Sequence, residues 1–335
     1  MTRREVVKLA LDHKRPPYVP WSYWLTDGAI ASLHRHLGCS DLAHVIENHF
    51  LSFGVGSSTD IGNNCHRDGF GIVRDFGIFH GLGVVTNTVL PEPTLAGFHP
   101  PDPIEPDSIP RQISERPDWF RVFSGGGSLF ATACDLRGTA TLLMDFYDHP
   151  EFVRGLFRSL ADHNIAQIEL ALKYDIDAVH FGDDWGQQRG LQMGKPLWME
   201  FIYPEYRRMF KVVKDAKKYA TIHSCGDVDE LFEELIGIGL DCFNPFQPEV
   251  MDVPALMTRY RGRLSFHGGL STQHTLPFGS PEDVRRATRQ LLELGREGGY
   301  VFSPAHGIPE DVPPENTMAF VEVLQSQPGW KRRAG

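Results

Sequence analysis

The stretch Lys218–Pro245, KYATIHSCGDVDELFEELIGIGLDCFNP, decides how the chain is read. Tyr219-Ala220-Thr221-Ile222 is a short apolar run with β-branched residues and reads as a strand. Asp227-Val228-Asp229-Glu230 opens a helix that runs to Ile238, where Gly239 stops it. Asp241-Cys242-Phe243-Asn244 is the next strand. Strand, helix, strand in so short a span is a βαβ unit, and such a crossover joins parallel strands. Between the first strand and the helix lies His223-Ser224-Cys225-Gly226. Alternation sends the imidazole and the thiol to the same side of the strand end. Two such donors suit zinc, although a lone cysteine is also an ordinary core residue.

The same alternation continues outward. Strands are predicted at Tyr18–Trp24, His49–Val55, Arg121–Phe123 and Asp177–Gly182, then the run into His223, and at Asp241–Asn244, Arg263–His267 and Tyr300–Ser303. Thr2-Arg3-Arg4-Glu5 is a capping box for a first helix. Further helices are predicted over Asp27–Leu37 with Gly38 as C-cap, Ser40–Asn48, Asp148 to Lys173, Asp227–Ile238 and Ser280–Gly295. Lys195–Lys217 is predicted helical with a break at Pro204. Eight strands in βα order over 335 residues predict an α/β protein, a single (β/α)8 TIM barrel domain over residues 1–335 with an N-terminal helix. An insertion at 67–119 falls between strands two and three. Its first part, Arg67–Asn87, reads as a hairpin around an apolar turn. Its second, Asn87–Trp119, holds eight prolines and can form neither a long helix nor a central strand.

Composition narrows the function. A net charge of −10 argues against nucleic acid or an anionic membrane as partner. No apolar run reaches membrane length, and no signal peptide opens the chain. The five cysteines are odd in number and scattered, which predicts reduced thiols and a cytoplasmic protein. Neither a Gly-x-Ser-x-Gly elbow nor a dinucleotide fingerprint is present, and Gly125-Gly126-Gly127 lacks the Lys-Ser/Thr of a P-loop.

A barrel carries its chemistry at the C-terminal ends of its strands. Those ends offer His180, Asp183 and His267 as catalytic acid–base groups, and Asn244 and Gln247 as polar contacts for a small-molecule substrate. Trp24 and Trp185 could form a stacking wall, or could simply be packing. Asp184 is placed evenly between a site role and a cap on the following helix, and Asn316 reads as a helix cap. His306, after the last strand, is the natural third metal ligand beside His223 and Cys225. Three protein ligands with a fourth position open is the catalytic arrangement of zinc.

The chain resembles the uroporphyrinogen decarboxylase (URO-D) superfamily from about residue 5 to residue 325. The resemblance rests on FGDDWGQQRG at Phe181–Gly190, HSCGDVDELFEELIGIGLDCFNPFQPE at His223–Glu249, FHGGLSTQHTLPFGSPEDV from Phe266, and the tail GGYVFSPAHGIPEDVPPENTMAF. It implies a (β/α)8 barrel, and by analogy a homodimer. True decarboxylases grip the porphyrinogen carboxylates with an N-terminal arginine-bearing segment; the corresponding Pro20-Trp21-Ser22-Tyr23-Trp24 has no arginine. The resemblance therefore implies the other branch, methyltransferases that move a methyl group between a corrinoid (cobalamin) protein and a thiol or tetrahydrofolate. Thiol-alkylating members bind zinc through a His-x-Cys pair and a later cysteine. The pair maps onto His223 and Cys225, but the later cysteine maps onto His306. One thiolate fewer leaves a stronger Lewis acid, which favours activating water, an alcohol or a carbonyl. A zinc-assisted lyase, hydrolase or decarboxylase, and a non-catalytic ligand-binding barrel, are the alternatives.

Overall fold

The computed structural model describes residues 1–39, 41–56, 58–78 and 83–332. Two compact units emerge, one of Ser52–Gln112 and Val122–Gly239, the other of Met1–Leu51, Ile113–Arg121 and Leu240–Gly335. The chain passes between them four times, inside the strands β1 (Phe50–Phe53) and Phe120–Phe123, inside the helix Ile109–Glu115, and after Gly239.

In the first unit β1 leads into an antiparallel sheet of β2 (Ser58–Gly62), β3 (Cys65–Asp68), β4 (Val73–Asp75) and β5 (Val84–Val85). The hairpin expected across Arg67–Asn87 is present, β4 pairing antiparallel with β5 through Arg74 opposite Val85 and Asp75 opposite Val84, but its first arm begins only at Val73, and Gly69–Ile72 is a turn. The Asp68 carboxylate accepts the Phe70 and Ile72 amides at 2.9 and 3.0 Å, and Gly71 takes φ 85°. A glycine-flanked Asp closes a turn more readily than it extends a strand. The apolar turn expected further on, residues 79–82, lies outside the described residues. The proline-rich segment forms one short helix, Ile109–Glu115. It is fastened at Ile104, whose amide and carbonyl both bond the Gln167 side chain at 2.7 Å.

The parallel strands follow: β6 (Phe120–Phe123), β7 (Ala178–Gly182) and, after a small hairpin of β8 (Gly186–Gln187) and β9 (Gly190–Leu191), β10 (Tyr219–His223). Val179 and Phe181 point to the helix layer, where Phe181 meets Phe210 at 4.9 Å. The helices are Pro150–Ala171, with Pro at its favoured start, and Tyr203–Asp215, which buries Tyr206, Met209, Phe210 and Val213 at helical spacing. The break expected at Pro204 occurs just before it, as a π-helical turn over Trp198–Ile202. Pro204 has no N–H to continue the ladder, and the widened turn absorbs the loss.

In the second unit β11 (Cys242–Asn244), β12 (Ser265–Leu270) and β13 (Tyr300–Pro304) run parallel in that order. The capping box of Thr2 and Glu5 is present, as is the box at Ser280 before Pro281–Gly295. Tyr18–Trp24 was expected as a strand but contributes a single isolated parallel bridge, Trp21 to Phe302, with a second just beyond it at Leu25 to Ile308. Pro16, Pro17 and Pro20 remove donors that a continuous ladder would need. The helix expected over Ser40–Asn48 shrinks to Ala43–Ile46; Ser40 itself is outside the described residues. Asn316 does not cap its helix: buried, it donates to the Leu276 and Gly279 carbonyls, both at 2.8 Å. Among the described residues no helix is long and apolar enough to cross a membrane. All five cysteines are free.

Candidate functional site

The parity of β7 and β10 sets the site in the first unit. His180 pairs in register with Thr221 and Gly182 with His223, on the face turned away from the helices. His180 Nδ1 lies 2.8 Å from Thr221 Oγ1. Beyond the strand, His223 Nε2 and Cys225 Sγ stand 3.2 Å apart. Donors sharing a tetrahedral zinc, with Zn–S near 2.3 Å and Zn–N near 2.0–2.1 Å, stand about 3.5 Å apart, so this pair fits the metal with a slight opening.

The loop carrying the pair is clamped against the loop after β7. Asp183 N–H donates to the His223 carbonyl at 2.9 Å, Trp185 N–H to Ser224 Oγ at 3.1 Å, and Cys225 N–H to Asp184 Oδ1 at 2.8 Å. Asp227 N–H reaches the Gln187 carbonyl at 2.9 Å. Gly226 takes φ 82° and faces Gly186 so closely that a Cβ on it would lie 2.4 Å from the Gly186 carbonyl carbon. Only glycine meets both demands. Ser224, between the two donors, points the opposite way and is fully buried.

The two aspartates divide differently from the expectation. Asp183 was expected to catalyse, yet it is 1% exposed. Its carboxylate accepts the amides of Leu129, Phe130 and Ala131 at 3.2, 3.1 and 2.8 Å, the Trp185 indole at 2.9 Å and the Tyr206 hydroxyl at 3.0 Å. It therefore anchors the N-terminus of the helix Phe130–Arg137. Burial raises its pKa above the ordinary carboxylate value, against the pull of the amides and the indole. Asp184 is the exposed member, holding the Cys225 amide with Oδ1 3.7 Å from His223 Nε2. Burial, with the Asp184 charge adding to it, pushes the Cys225 thiol up to about 12. At neutral pH that sulfur keeps its proton until a cation stabilises the thiolate.

Trp185 is not a wall for substrate: it is fully buried, packed edge-on against Trp198 and Tyr206 at 5.2 and 5.0 Å. The remaining expected residues belong to the second unit. His306 is exposed after β13, its ring 5.8 Å from that of Trp24, which is 56% exposed. A Cβ at Gly307 would strike the Trp24 ring, so glycine is what lets the indole lie there. His267 places Nε2 2.8 Å from the Ser22 carbonyl, and Asn244 donates to the His267 carbonyl at 2.9 Å. Gln247 is buried, its carbonyl accepting the Val250 and Met251 amides. Thr221 and Ser224 escaped the sequence reading. Strand parity beside His180 could have found Thr221, whereas nothing in the sequence marks the loop contact that uses Ser224.

Comparison with known proteins agrees with this frame. Curated relatives include uroporphyrinogen decarboxylase of Saccharophagus degradans, 24% identical over 57% of this chain and 52% of that protein. Methylated-thiol–coenzyme M methyltransferase of Methanosarcina mazei is 23% identical over 59% of this chain and 51% of that protein. The chain thus spans about half the length of the curated relatives it matches. A solved methyltransferase from Methanosarcina mazei has the same fold, with a TM-score of 0.71 over 97% of this chain and 98% of that chain at 14% identity. The profile of the family described as uroporphyrinogen decarboxylase (URO-D) matches residues 107–327, well over half of the sequence, and the chain belongs to that family.

Proposed function

We propose that this chain is a zinc-dependent methyltransferase that moves a methyl group between a corrinoid, carried by a partner protein, and a small acceptor such as tetrahydrofolate or a thiol. In this reading the parallel strands close into a (β/α)8 barrel spanning the whole chain, and His306 is the third ligand beside His223 and Cys225. The observation that carries it is the braced pair of His223 Nε2 and Cys225 Sγ, 3.2 Å apart at the end of β10. The absence of arginine in Pro20–Trp24 supports it over porphyrinogen decarboxylation, and the curated relatives include a methyltransferase beside the decarboxylases.

Bound zinc would supply Lewis acidity toward the acceptor's heteroatom. The chain's own groups do the rest. Asp184 fixes the Cys225 backbone, so the sulfur is presented without loop rearrangement. In the neutral His267 ring, the Ser22 carbonyl fixes the proton on Nε2. His180, held by Thr221, is the acid–base group on the same sheet face as His223. Asp183 is a positioning residue, and Trp24 beside His306 offers an exposed aromatic face. A second reading, a zinc-assisted lyase or hydrolase, is favoured by His306 standing where a second thiolate would keep the metal less acidic.

The test is to mix the protein with methylcobalamin and a panel of thiols and folates and follow the corrinoid spectrum. Demethylation is expected, and its loss in Cys225→Ser. No demethylation with any acceptor contradicts the reading and turns the screen to hydrolysable methoxy and carboxylated compounds.

A further inference from the structure

The first unit contains a cavity of about 400 Å3 that the catalytic expectations did not include. Its lining includes Phe70, Pro101, Ile104, Ser124, Ser128 and His163. Part of this lining is tied down: Gln167 clasps both backbone groups of Ile104, and the His163 ring meets Phe70 edge-on at 5.2 Å. The volume lies within the usual range for a small-molecule site.

Gly182 is the lining residue nearest in register to His223, its direct register partner on the same sheet face. Gly125 and Gly127 on the lining are packed tight: a Cβ on Gly127 would lie 2.3 Å from Asn164, and one on Gly125 2.4 Å from Phe123. A Cβ on Gly182 would meet nothing within 4 Å, and the same holds for Gly56 on the cavity lining. Neither residue has a left-handed backbone. Their missing side chains therefore leave open space without serving a turn.

The lining carries no lysine or arginine among the described residues, but it does carry Asp68 and Asp102. Asp68 is already committed to its own turn and to Arg74 at 3.3 Å. An anion entering here finds no cation to replace its hydration, and that desolvation is costly. An uncharged molecule finds hydroxyls in Ser124, Ser128 and Thr132, and apolar surface in Phe70, Pro101 and Ile104.

We propose that this cavity is a binding chamber for an uncharged hydroxyl- or ether-bearing molecule of about one ring in size, with Gly182 as its opening toward His223. That the molecule is the methyl donor or acceptor rests on the function proposed above; its charge class and its place do not.

The test is isothermal titration of the purified protein, with and without added zinc, using 2-methoxyphenol as the neutral probe and 2-methoxybenzoate as its anionic counterpart. The neutral probe is expected to bind at least about tenfold more tightly than the anion, whether or not zinc is present, a difference of about 1.4 kcal/mol. Gly182→Leu and, independently, Gly56→Leu each fill the space and are expected to weaken 2-methoxyphenol by about tenfold or more, with circular dichroism unchanged. Binding of the anion as tightly as the neutral probe, no binding of either, or a folded leucine variant that binds as the parent does would each overturn the proposal. A positive result without corrinoid demethylation keeps the chamber and removes the methyl-transfer reading; the reverse result removes the chamber alone.

Discussion

The ends of β7 and β10 and the antiparallel sheet β2–β5 belong to the same unit, yet they are built on opposite principles. At the strand ends almost every group is spoken for: Asp183 satisfies five donors, and two loops are locked by Asp184, Ser224 and the Gly186–Gly226 contact. In the antiparallel sheet, every residue of β2 is exposed, and Ile61 stands in solvent. A region that must hold two donors 3.2 Å apart is rigidly braced. A region that covers a cavity needs only its tethers, at Ile104 and at the Asp68 turn.

Four substitutions probe that contrast. Asp183→Ala should cost most, about 3 kcal/mol or more in urea denaturation, because it orphans amide, indole and hydroxyl donors in a dry interior. An effect below about 1 kcal/mol would mean the strand ends are not braced as described. Asp184→Ala, one residue on, should leave stability within about 1 kcal/mol, since the carboxylate it removes is half exposed. It should nevertheless weaken zinc uptake in competition with a chelator by about tenfold, the usual effect of losing a group that orients a ligand.

The third probe is His49, buried just before β1, with Nε2 3.0 Å from the Tyr18 hydroxyl and its ring 4.3 Å from Trp21. Burial holds its pKa well below the ordinary value, with the Arg3 charge acting in the same direction. Below the unfolded value of about 6.5 the unfolded chain takes up a proton that the folded chain refuses. Stability from this group is therefore complete above that pH and falls as pH drops, by up to about 1.4 kcal/mol per unit. The urea midpoint of His49→Phe should fall less steeply between pH 7 and 5 than that of the parent; parallel slopes would contradict a neutral buried imidazole. Smallest of all, Ile61→Thr in β2 should change stability by no more than about 0.5 kcal/mol, and a larger loss would show hidden packing there.

The parallel strands were legible because their signal is local. Alternation at Ala178–Gly182 and Tyr219–His223, with glycines just after each strand at Gly186 and Gly226, is visible without knowing any partner. Capping boxes at Thr2 and Ser280 were legible for the same reason. The hairpin of β4 and β5 was legible too, but its first arm was read from Gly69 rather than Val73, because glycine and aromatic residues fit a strand and a turn equally until Asp68 is seen to close the loop. Asp183 and Asp184 could not be told apart in sequence. Parity says that they diverge, but only the arrival of Leu129–Ala131, more than fifty residues upstream, says which one is consumed. Trp185 failed similarly, since an indole for packing and an indole for substrate read alike. The site was legible in its ligand types and spacing, and not in what braces them.

The most direct test of the central claim is metal content. Protein purified without chelator should carry stoichiometric zinc by elemental analysis, and Cys225→Ser should lose it while keeping the parent's circular dichroism. A metal-free parent that still demethylates methylcobalamin, or a Cys225→Ser variant that keeps its zinc, would contradict the assignment of His223 and Cys225 as the metal-holding pair.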